Sequence, residues 1–171
     1  MFDLPRVHSS LLIVALAGVL AGCPDDEWKD YAYPCNAGQP PSLEVGLFDA
    51  SEETFEARSS TQDFALAEGS VGAQGGGSGP WTGVDLLAVG HLMSPNRVTI
   101  EFRDADSNSL KASFDEEDHP FECVDQLGLV SRNPISFNED FIDLLGAEVL
   151  LKVDVSFGDD SYTQEFSGSL Q

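Results

Sequence analysis

Apolar and polar side chains alternate one by one along residues 149–157, and this pattern restricts the possible folds more than any other feature of the chain. Every second position is apolar, and polar residues fill most of the positions between them: Val149, Leu151, Val153, Val155 and Phe157 alternate with Lys152, Asp154 and Ser156. Successive side chains of a β-strand point to opposite faces, so alternate positions share one face. A helix repeats about every 3.6 residues and would scatter the same side chains around its axis. The pattern therefore predicts a β-strand with one buried face.

The same alternation recurs at Val98, Ile100 and Phe102, and other short apolar runs lie between turn residues. Further strands are predicted over residues 43–48, 54–58, 84–92, 109–114, 121–124, 135–137 and 162–170. One short helix is predicted over residues 140–145, with Asn138 as its N-cap and Gly146 at its end. Strands do not alternate with helices, so a parallel α/β sheet is not expected. These elements predict an all-β fold, a single antiparallel β-sandwich with immunoglobulin-like connections.

The chain is strongly acidic. Its 171 residues include 30 Asp and Glu against 8 Lys and Arg, which gives a formal net charge of −22. Phosphate backbones repel such a chain, so nucleic acid is excluded as a partner. Hydrophobic residues make up 42% of the sequence, with 11 phenylalanines, and this content predicts a packed domain rather than a disordered chain.

An apolar run of eleven residues, Leu11–Ala21, lies near the N-terminus. It has the length of a signal-peptide hydrophobic region and is shorter than the ~20 residues that a helix needs to cross a bilayer. Its end, Leu20-Ala21-Gly22-Cys23, resembles the lipobox of bacterial lipoproteins. The resemblance implies cleavage after Gly22, lipid on the thiol of Cys23 and a stable membrane anchor. An ordinary secretory signal followed by an unmodified cysteine is the alternative.

This resemblance divides the chain into a signal peptide over residues 1–22, a lipidated cysteine and tether over 23–41, and a β-sandwich domain over 42–171. The domain part resembles small uncharacterised lipoproteins of the Gram-negative envelope, through the loop at residues 71–76 and the final pair of strands. In the sorting rule of enteric bacteria, an aspartate directly after the lipidated cysteine retains a lipoprotein at the inner membrane. Pro24 occupies that place here, so the resemblance implies the outer membrane rather than the inner one.

Two cysteines, Cys35 and Cys123, remain once Cys23 is assigned to lipid. In an oxidising compartment we expect them to form one disulfide, and two buried free thiols are the alternative. Cys35 follows Cys23 by twelve residues, a length that reaches ~40 Å when extended and about 20 Å root-mean-square when flexible. We therefore expect the domain to lie close to the membrane.

Histidines are few in the mature chain: only His91 and His119 remain after signal cleavage. We expect His91 on the solvent face of the strand at 84–92 and His119 in an acidic loop. No motif for a nucleophilic serine accompanies either of them, so the sequence predicts a protein that is not an enzyme. A zinc site at His119 and a hydrolase with dispersed carboxylates are the alternatives.

One segment superficially follows a calcium-binding loop. Oxygen donors stand at its first, third, fifth and twelfth positions: Asp104, Asp106, Asn108 and Asp115. Ser109 occupies the sixth position, where an EF-hand has glycine. A β-hairpin turn rich in Asp and Asn is the alternative. Calcium is the one cofactor that the sequence suggests.

A second acidic group is a candidate cation patch, formed by Asp115, Glu116, Glu117, Asp118 and Glu122. A solvated loop is the alternative interpretation. We hypothesise that divalent cations screen this charge and allow the domain to lie against anionic lipid.

Six glycines crowd residues 69–79, directly before Trp81. This loop and Trp81 form a candidate binding edge, and a mobile loop without function is the alternative. Together with the anchor, these features predict a membrane-anchored envelope lipoprotein that acts as a non-catalytic binding or structural module. Its expected partners are the membrane, through lipid on Cys23, and an envelope protein or glycan. A calcium-dependent adhesin or sensor is the alternative.

Overall fold

The structure is a computed structural model that describes residue 35 and residues 38–69, 79–124 and 127–171. These residues contain the following elements: β1 (Ser42–Asp49), β2 (Thr54–Ala57), β3 (Trp81–Val89), β4 (Arg97–Asp104), β5 (Leu110–Glu117), β6 (Glu122–Val124), β7 (Gly128–Ser136), α1 (Phe141–Leu144), β8 (Glu148–Phe157) and β9 (Asp160–Ser169). The prediction of an all-β fold is therefore confirmed. Within the described ranges, no helix is long and apolar enough to cross a membrane.

The strands form two antiparallel sheets. One has the order β2-β1-β3-β7-β6 and the other the order β5-β4-β8-β9. This is the pairing of an immunoglobulin sandwich, in which strands A, B, E and D form one sheet and strands C, F and G the other. In that scheme β1, β3, β7 and β6 are A, B, E and D, while β4, β8 and β9 are C, F and G, and β5 is an added strand beside C. The predicted antiparallel sandwich with immunoglobulin-like connections is confirmed.

The core lies between the two sheets and consists of the alternating positions. All the apolar residues that defined the pattern on β4 and β8 are buried: Val98, Ile100, Phe102, Val149, Leu151, Val153, Val155 and Phe157. The facing sheet contributes Val84, Leu86 and Leu129. The ring of Phe102 meets the ring of Phe64 edge-on, with 5.0 Å between the centroids. Burial of one face of each strand thus explains why the period-two pattern was a sound guide to the fold.

Residues 60–66 run parallel to β9 and cover its outer edge. The backbone N–H of Phe64 donates to the carbonyl oxygen of Ser169 at 2.8 Å. Gly168 permits this close approach, because a Cβ at that position would lie 2.2 Å from the carbonyl oxygen of Gln62. An unpaired strand edge is a template for aggregation, and this segment closes one edge of the second sheet.

Several predicted elements have different bounds in the structure. The strand predicted over 84–92 begins at Trp81 and ends at Val89, since Gly90 has a φ of +73° that interrupts the extended backbone. The strand predicted over 135–137 is only the end of β7, which spans nine residues. The helix has four residues and Asp140, not Asn138, as its N-cap. Gly146 follows the helix with a φ of +78°, as predicted for its end.

The two ends of the sandwich carry different segments. Ser42 pairs with Val89, and Arg97 pairs with Ser156, so the chain enters β1 beside the loop at 90–96 and the turn at 158–159. The loop at 118–121 joins them, because the N–H of Asp118 donates to the carbonyl oxygen of Asn96. We call this the entry end. The turn at 105–109 and residues 137–147 lie at the far end.

Candidate functional site

The acidic run 115–118 lies on the last residues of β5 and the turn that follows. Its first member, Asp115, accepts two hydrogen bonds from the guanidinium of Arg97, at 2.8 and 2.5 Å, and one from the hydroxyl of Thr99 at 3.1 Å. The hydrogen bonds and positive charge of Arg97 lower the pKa of Asp115 below its usual value. Asp115 is thus bound across to β4 and is not free to act with its neighbours.

A chain of polar side chains begins at the next acidic residue. The carboxylate of Glu116 contacts Nδ1 of His119, and Nε2 of His119 lies 2.8 Å from the hydroxyl oxygen of Ser131. The Ser131 hydroxyl lies 3.1 Å from Oδ1 of Asn133. Nδ2 of Asn133 donates to the backbone carbonyl of Val84 at 3.0 Å. We call Glu116, His119, Ser131 and Asn133 the polar chain.

The anchor at Val84 determines the direction of these hydrogen bonds. A backbone carbonyl can only accept, so the amide nitrogen of Asn133 faces Val84 and its oxygen faces Ser131. The hydroxyl of Ser131 therefore donates to Asn133, and Nε2 of His119 donates to Ser131.

This direction differs from that of a catalytic triad. In a triad the serine hydroxyl donates to histidine, which removes its proton. Here the hydroxyl proton points to Asn133, although the residue types Glu, His and Ser would fit a triad. Ser131 is also only 3% exposed. The arrangement resembles a triad in composition but is built to satisfy buried polar groups.

The polar chain occupies the side of the sandwich between β5 and β7. The rings of Phe114 and Phe121 contact the His119 ring edge-on, with centroids 5.0 and 6.2 Å away. The side chain of His119 is 12% exposed, whereas that of Glu116 is half exposed. His119 thus covers Ser131 and links the buried part of the chain to the surface. Sequence analysis missed Ser131 and Asn133, because it predicted only residues 135–137 of this strand and assigned no element to the residues before them.

The candidate cation patch is only partly a group of free carboxylates. Asp115 and Glu116 are held by Arg97 and His119, while Glu117, Asp118 and Glu122 are exposed. Among the described residues there is no group of three or more His, Cys, Asp or Glu side chains placed to hold a metal ion.

The four oxygen donors of the calcium-like loop do not come together. Asp104 starts a hairpin turn, where its Oδ1 accepts from the backbone N–H and hydroxyl of Ser107 at 2.8 and 2.7 Å. These bonds lower the pKa of Asp104. Asp115 lies six residues beyond the far side of that turn, about 20 Å along the strand at ~3.3 Å per residue. The segment forms the hairpin turn that was the alternative interpretation, and Asp106 and Asn108 are exposed residues within it.

His91 is buried, which corrects the expectation that it faces solvent. Its side chain follows Gly90 outside the strand and stacks on Phe157, with 3.9 Å between ring centroids. Nε2 of His91 lies 3.0 Å from the hydroxyl of Tyr162. Burial lowers the pKa of His91, and the charge of Asp160 partly opposes this shift. Because β3 ends before His91, the strand alternation did not apply to it.

Trp81 opens β3 at the base of the glycine-rich loop. Its N–H and carbonyl pair with those of Ala67 at 2.9 and 2.8 Å, and Gly79 pairs with Gly69 at 3.5 Å. Residues 70–78, which belong to the candidate binding edge, lie outside the described residues. The half-buried Trp81 therefore lies where backbone hydrogen bonds join the two ends of the glycine-rich loop.

The disulfide between Cys35 and Cys123 is present. The two Cα atoms are 5.8 Å apart, and the bridge spans 88 positions of sequence. Cys35 is buried, and Cys123 lies on β6, so the bridge attaches the segment before β1 to the entry end. Cys23 and the rest of the predicted tether up to residue 34 lie outside the described residues.

An open depression of about 530 Å³ lies beside the β1–β2 turn. Its floor contains Asp85, whose carboxylate accepts a hydrogen bond from the N–H of Phe48 at 2.7 Å. The β1–β3 ladder ends at Gly46 opposite Asp85, so the carboxylate binds the next free N–H where the strands diverge. Burial raises the pKa of Asp85. The sequence analysis did not single out Asp85, although a lone acid within an apolar run is a signal that could have found it. Its role is to hold β1.

Comparisons with known proteins include a distant structural resemblance. No family model matches the sequence, and no curated protein matches it. Among solved structures, the chain is similar to an immunoglobulin-like protein from Pseudomonas aeruginosa at 16% sequence identity, over 76% of this chain and 92% of that chain, with a TM-score of 0.35. The fold assignment stands on the strand order of this chain.

Proposed function

We propose that this chain is a lipid-anchored protein of the bacterial envelope, held at the membrane through Cys23, whose β-sandwich acts as a non-catalytic binding or structural module. The observation that carries the proposal is the disulfide between Cys35 and Cys123. Disulfides persist in oxidising compartments such as the bacterial periplasm and cell surface, and they are rare in the cytosol. The bridge thus supports the same compartment that the lipobox-like sequence implies.

The position of the disulfide also suits an anchored domain. Cys35 lies twelve positions after Cys23, and its bridge to Cys123 ties the segment between them to the sandwich. Two or more acyl chains hold a protein stably at a bilayer, whereas one gives marginal binding. A triacylated Cys23 followed by a short tether would keep the domain at the membrane surface.

The non-catalytic role is supported by the state of the two described histidines. His91 is packed against Phe157 and Tyr162, and His119 donates to Ser131 rather than accepting its proton. Neither is positioned as the general base of a nucleophilic serine. A module that binds or organises other envelope components needs no such base.

Metabolic labelling tests the anchor. The full chain, with its signal, is expressed in a Gram-negative host that is fed an alkyne-modified fatty acid, and the isolated protein is analysed by gel fluorescence and mass spectrometry. We expect label on the wild type, an N-terminus at Cys23 and loss of label in Cys23→Ser. Cys35→Ser is the matched control, since it removes a cysteine and the disulfide but should keep the lipid. An unlabelled wild-type chain that retains residues 1–22 would contradict the proposal.

Membrane fractionation tests the choice of membrane. We propose the outer membrane because Pro24, not aspartate, follows Cys23. Separation of the two membranes by density should recover the wild type with the outer membrane. The variant Pro24→Asp should move to the inner membrane fraction in an enteric host. Wild type in the inner fraction would contradict this part of the proposal.

A further inference from the structure

Two neighbouring apolar side chains project from the entry end of the sandwich. Leu92 is 50% exposed and Met93 is 66% exposed, and both lie in the loop between β3 and β4. A solvated loop that joins two strands is usually polar, because apolar side chains stabilise a protein only when they leave water. Leu92 and Met93 are exposed and do not pack into the core of the sandwich.

The structure holds this loop rigidly beside the place where the chain enters. Gly90 packs against the segment that leads into β1: a Cβ on Gly90 would lie 2.4 Å from the carbonyl oxygen of Gln39. On the other side, the hydroxyl of Ser94 accepts from the N–H of Phe121 at 3.2 Å, two residues before Cys123. Leu92 and Met93 are thus fastened on both flanks close to the disulfide.

Chain length then determines which end of the domain lies near the membrane. Cys35 lies twelve positions after Cys23, about 20 Å root-mean-square for a flexible chain. The longest strands have ten residues, and at ~3.3 Å per residue the far end lies about 30 Å beyond the entry end. A lipid-anchored Cys23 therefore favours contact between the entry end and the bilayer.

We propose that Leu92 and Met93 insert into the headgroup region of a zwitterionic lipid bilayer and form the membrane-contacting tip of the domain. This inference rests on the proposed lipid anchor at Cys23. Tethering supplies a high local concentration of membrane, so two apolar side chains suffice for contact that they could not maintain alone.

The charges around the tip specify the kind of lipid. Glu117, Asp118, Asp159 and Asp160 are exposed at the same end, and anionic headgroups would repel them. Zwitterionic headgroups carry no such penalty. The loop should therefore contact a zwitterionic surface more closely than an anionic one.

Site-specific fluorescence on the lipidated full chain tests the proposal. A polarity-sensitive dye is placed on Met93→Cys, and the protein is reconstituted into phosphatidylcholine vesicles that contain a lipid-borne nitroxide quencher. Ile142→Cys is the matched control, because Ile142 is 81% exposed and lies at the far end. We expect a blue shift and at least about two-fold stronger quenching at position 93 than at position 142.

A label-free measurement accompanies the dye. Amide hydrogen exchange of the lipidated wild type should slow several-fold in residues 90–96 on reconstitution and stay unchanged in residues 141–145. The double variant Leu92→Ser with Met93→Ser should lose this protection while remaining on the vesicles through its lipid. Vesicles with phosphatidylglycerol in place of half the phosphatidylcholine should reduce both signals.

The outcomes separate this inference from the proposed function. A chain that is acylated and vesicle-bound, but equally quenched at positions 93 and 142 or more strongly at 142, overturns the membrane tip and leaves the anchor intact. A chain whose mass shows no lipid on Cys23 overturns the anchor and the tip together. Stronger quenching on anionic vesicles overturns the assignment of zwitterionic lipid.

Discussion

The hydroxyl oxygen of Ser131 lies 2.8 Å from Nε2 of His119, and the histidine is the donor of that hydrogen bond. This direction follows from the far end of the polar chain, where Asn133 donates to a backbone carbonyl. Two buried polar residues on β7 find their hydrogen-bond partners in this way. The arrangement makes the largely buried His119 part of the stability of the sandwich.

Removal of the amide of Asn133 should therefore destabilise the fold. In Asn133→Ala the hydroxyl of Ser131 loses its acceptor, and an unsatisfied buried polar group costs about 1–3 kcal/mol. Urea unfolding of the purified chain with its disulfide intact measures the change. Ser136→Ala, an exposed site on the same strand, is the control and should remain within about 0.5 kcal/mol of wild type. Equal midpoints for Asn133→Ala and wild type would show that the polar chain carries no stability.

The buried His91 should make the domain less stable in mild acid. Burial lowers its folded pKa, so the neutral form is favoured in the fold. For such a group the stability is present above the unfolded pKa of about 6.5 and is lost as pH falls below it. Wild type should lose more stability than His91→Phe between about pH 7.5 and pH 5.5, because phenylalanine does not titrate. Phenylalanine can still stack on Phe157, so the variant keeps the packing.

Thermal melts across that pH range provide the measurement for His91. Leu92→Ala is the control, since it changes a neighbouring exposed side chain and should follow the wild-type pH dependence. Parallel curves for wild type and His91→Phe would contradict the prediction. His91 faces Tyr162 and the charge of Asp160, which favours the protonated imidazole, so the single variant Asp160→Asn, with His91 in place, should increase the loss in acid.

Loss of the disulfide should weaken the entry end and the whole domain. Cleavage of a bridge that spans 88 positions frees a long loop in the unfolded chain, and removal of such a bridge typically costs about 2–5 kcal/mol. Cys35→Ala with Cys123→Ala should unfold at lower urea than wild type. Wild type treated with reductant should match the double variant, and unchanged stability on reduction would refute the prediction.

Divalent cations should stabilise the domain by screening rather than by a specific site. The exposed acids near the entry end repel one another, and screening weakens this repulsion. Calcium and magnesium at equal ionic strength should therefore raise the melting temperature by the same amount. A sodium control at that ionic strength separates general screening from a divalent effect. A larger rise with calcium than with magnesium would indicate a specific calcium site instead.

The strands with a clean alternation could be predicted from the sequence, and the residues that break it could not. Val149–Phe157 read directly as β8, because each apolar position enters the core. On β7 the core positions include Ser131 and Asn133, whose hydrogen-bond partners lie 12 and 49 residues away in sequence. No local pattern distinguishes such a satisfied buried polar residue from a solvated one. His91 was misplaced for a related reason, since the turn at Gly90 ended the strand before it.

The sequence by itself determined the class of the fold and the acidic character of the chain, because these depend on residue type and periodicity. It predicted a bridge between Cys35 and Cys123 but left two free thiols open, and the structure decided this by placing their Cα atoms 5.8 Å apart. The lipobox-like segment at Cys23 is also a property of sequence, and its lipid stays a prediction. Only the tertiary structure decided which acids are bound and which are free. It placed Asp115 far from Asp104 and within hydrogen-bond distance of Arg97, and it placed Glu116, His119 and Ser131 in one hydrogen-bonded chain. Strand pairing brings together side chains that are far apart in sequence, so chemistry that depends on distance appears only once the sheets are paired.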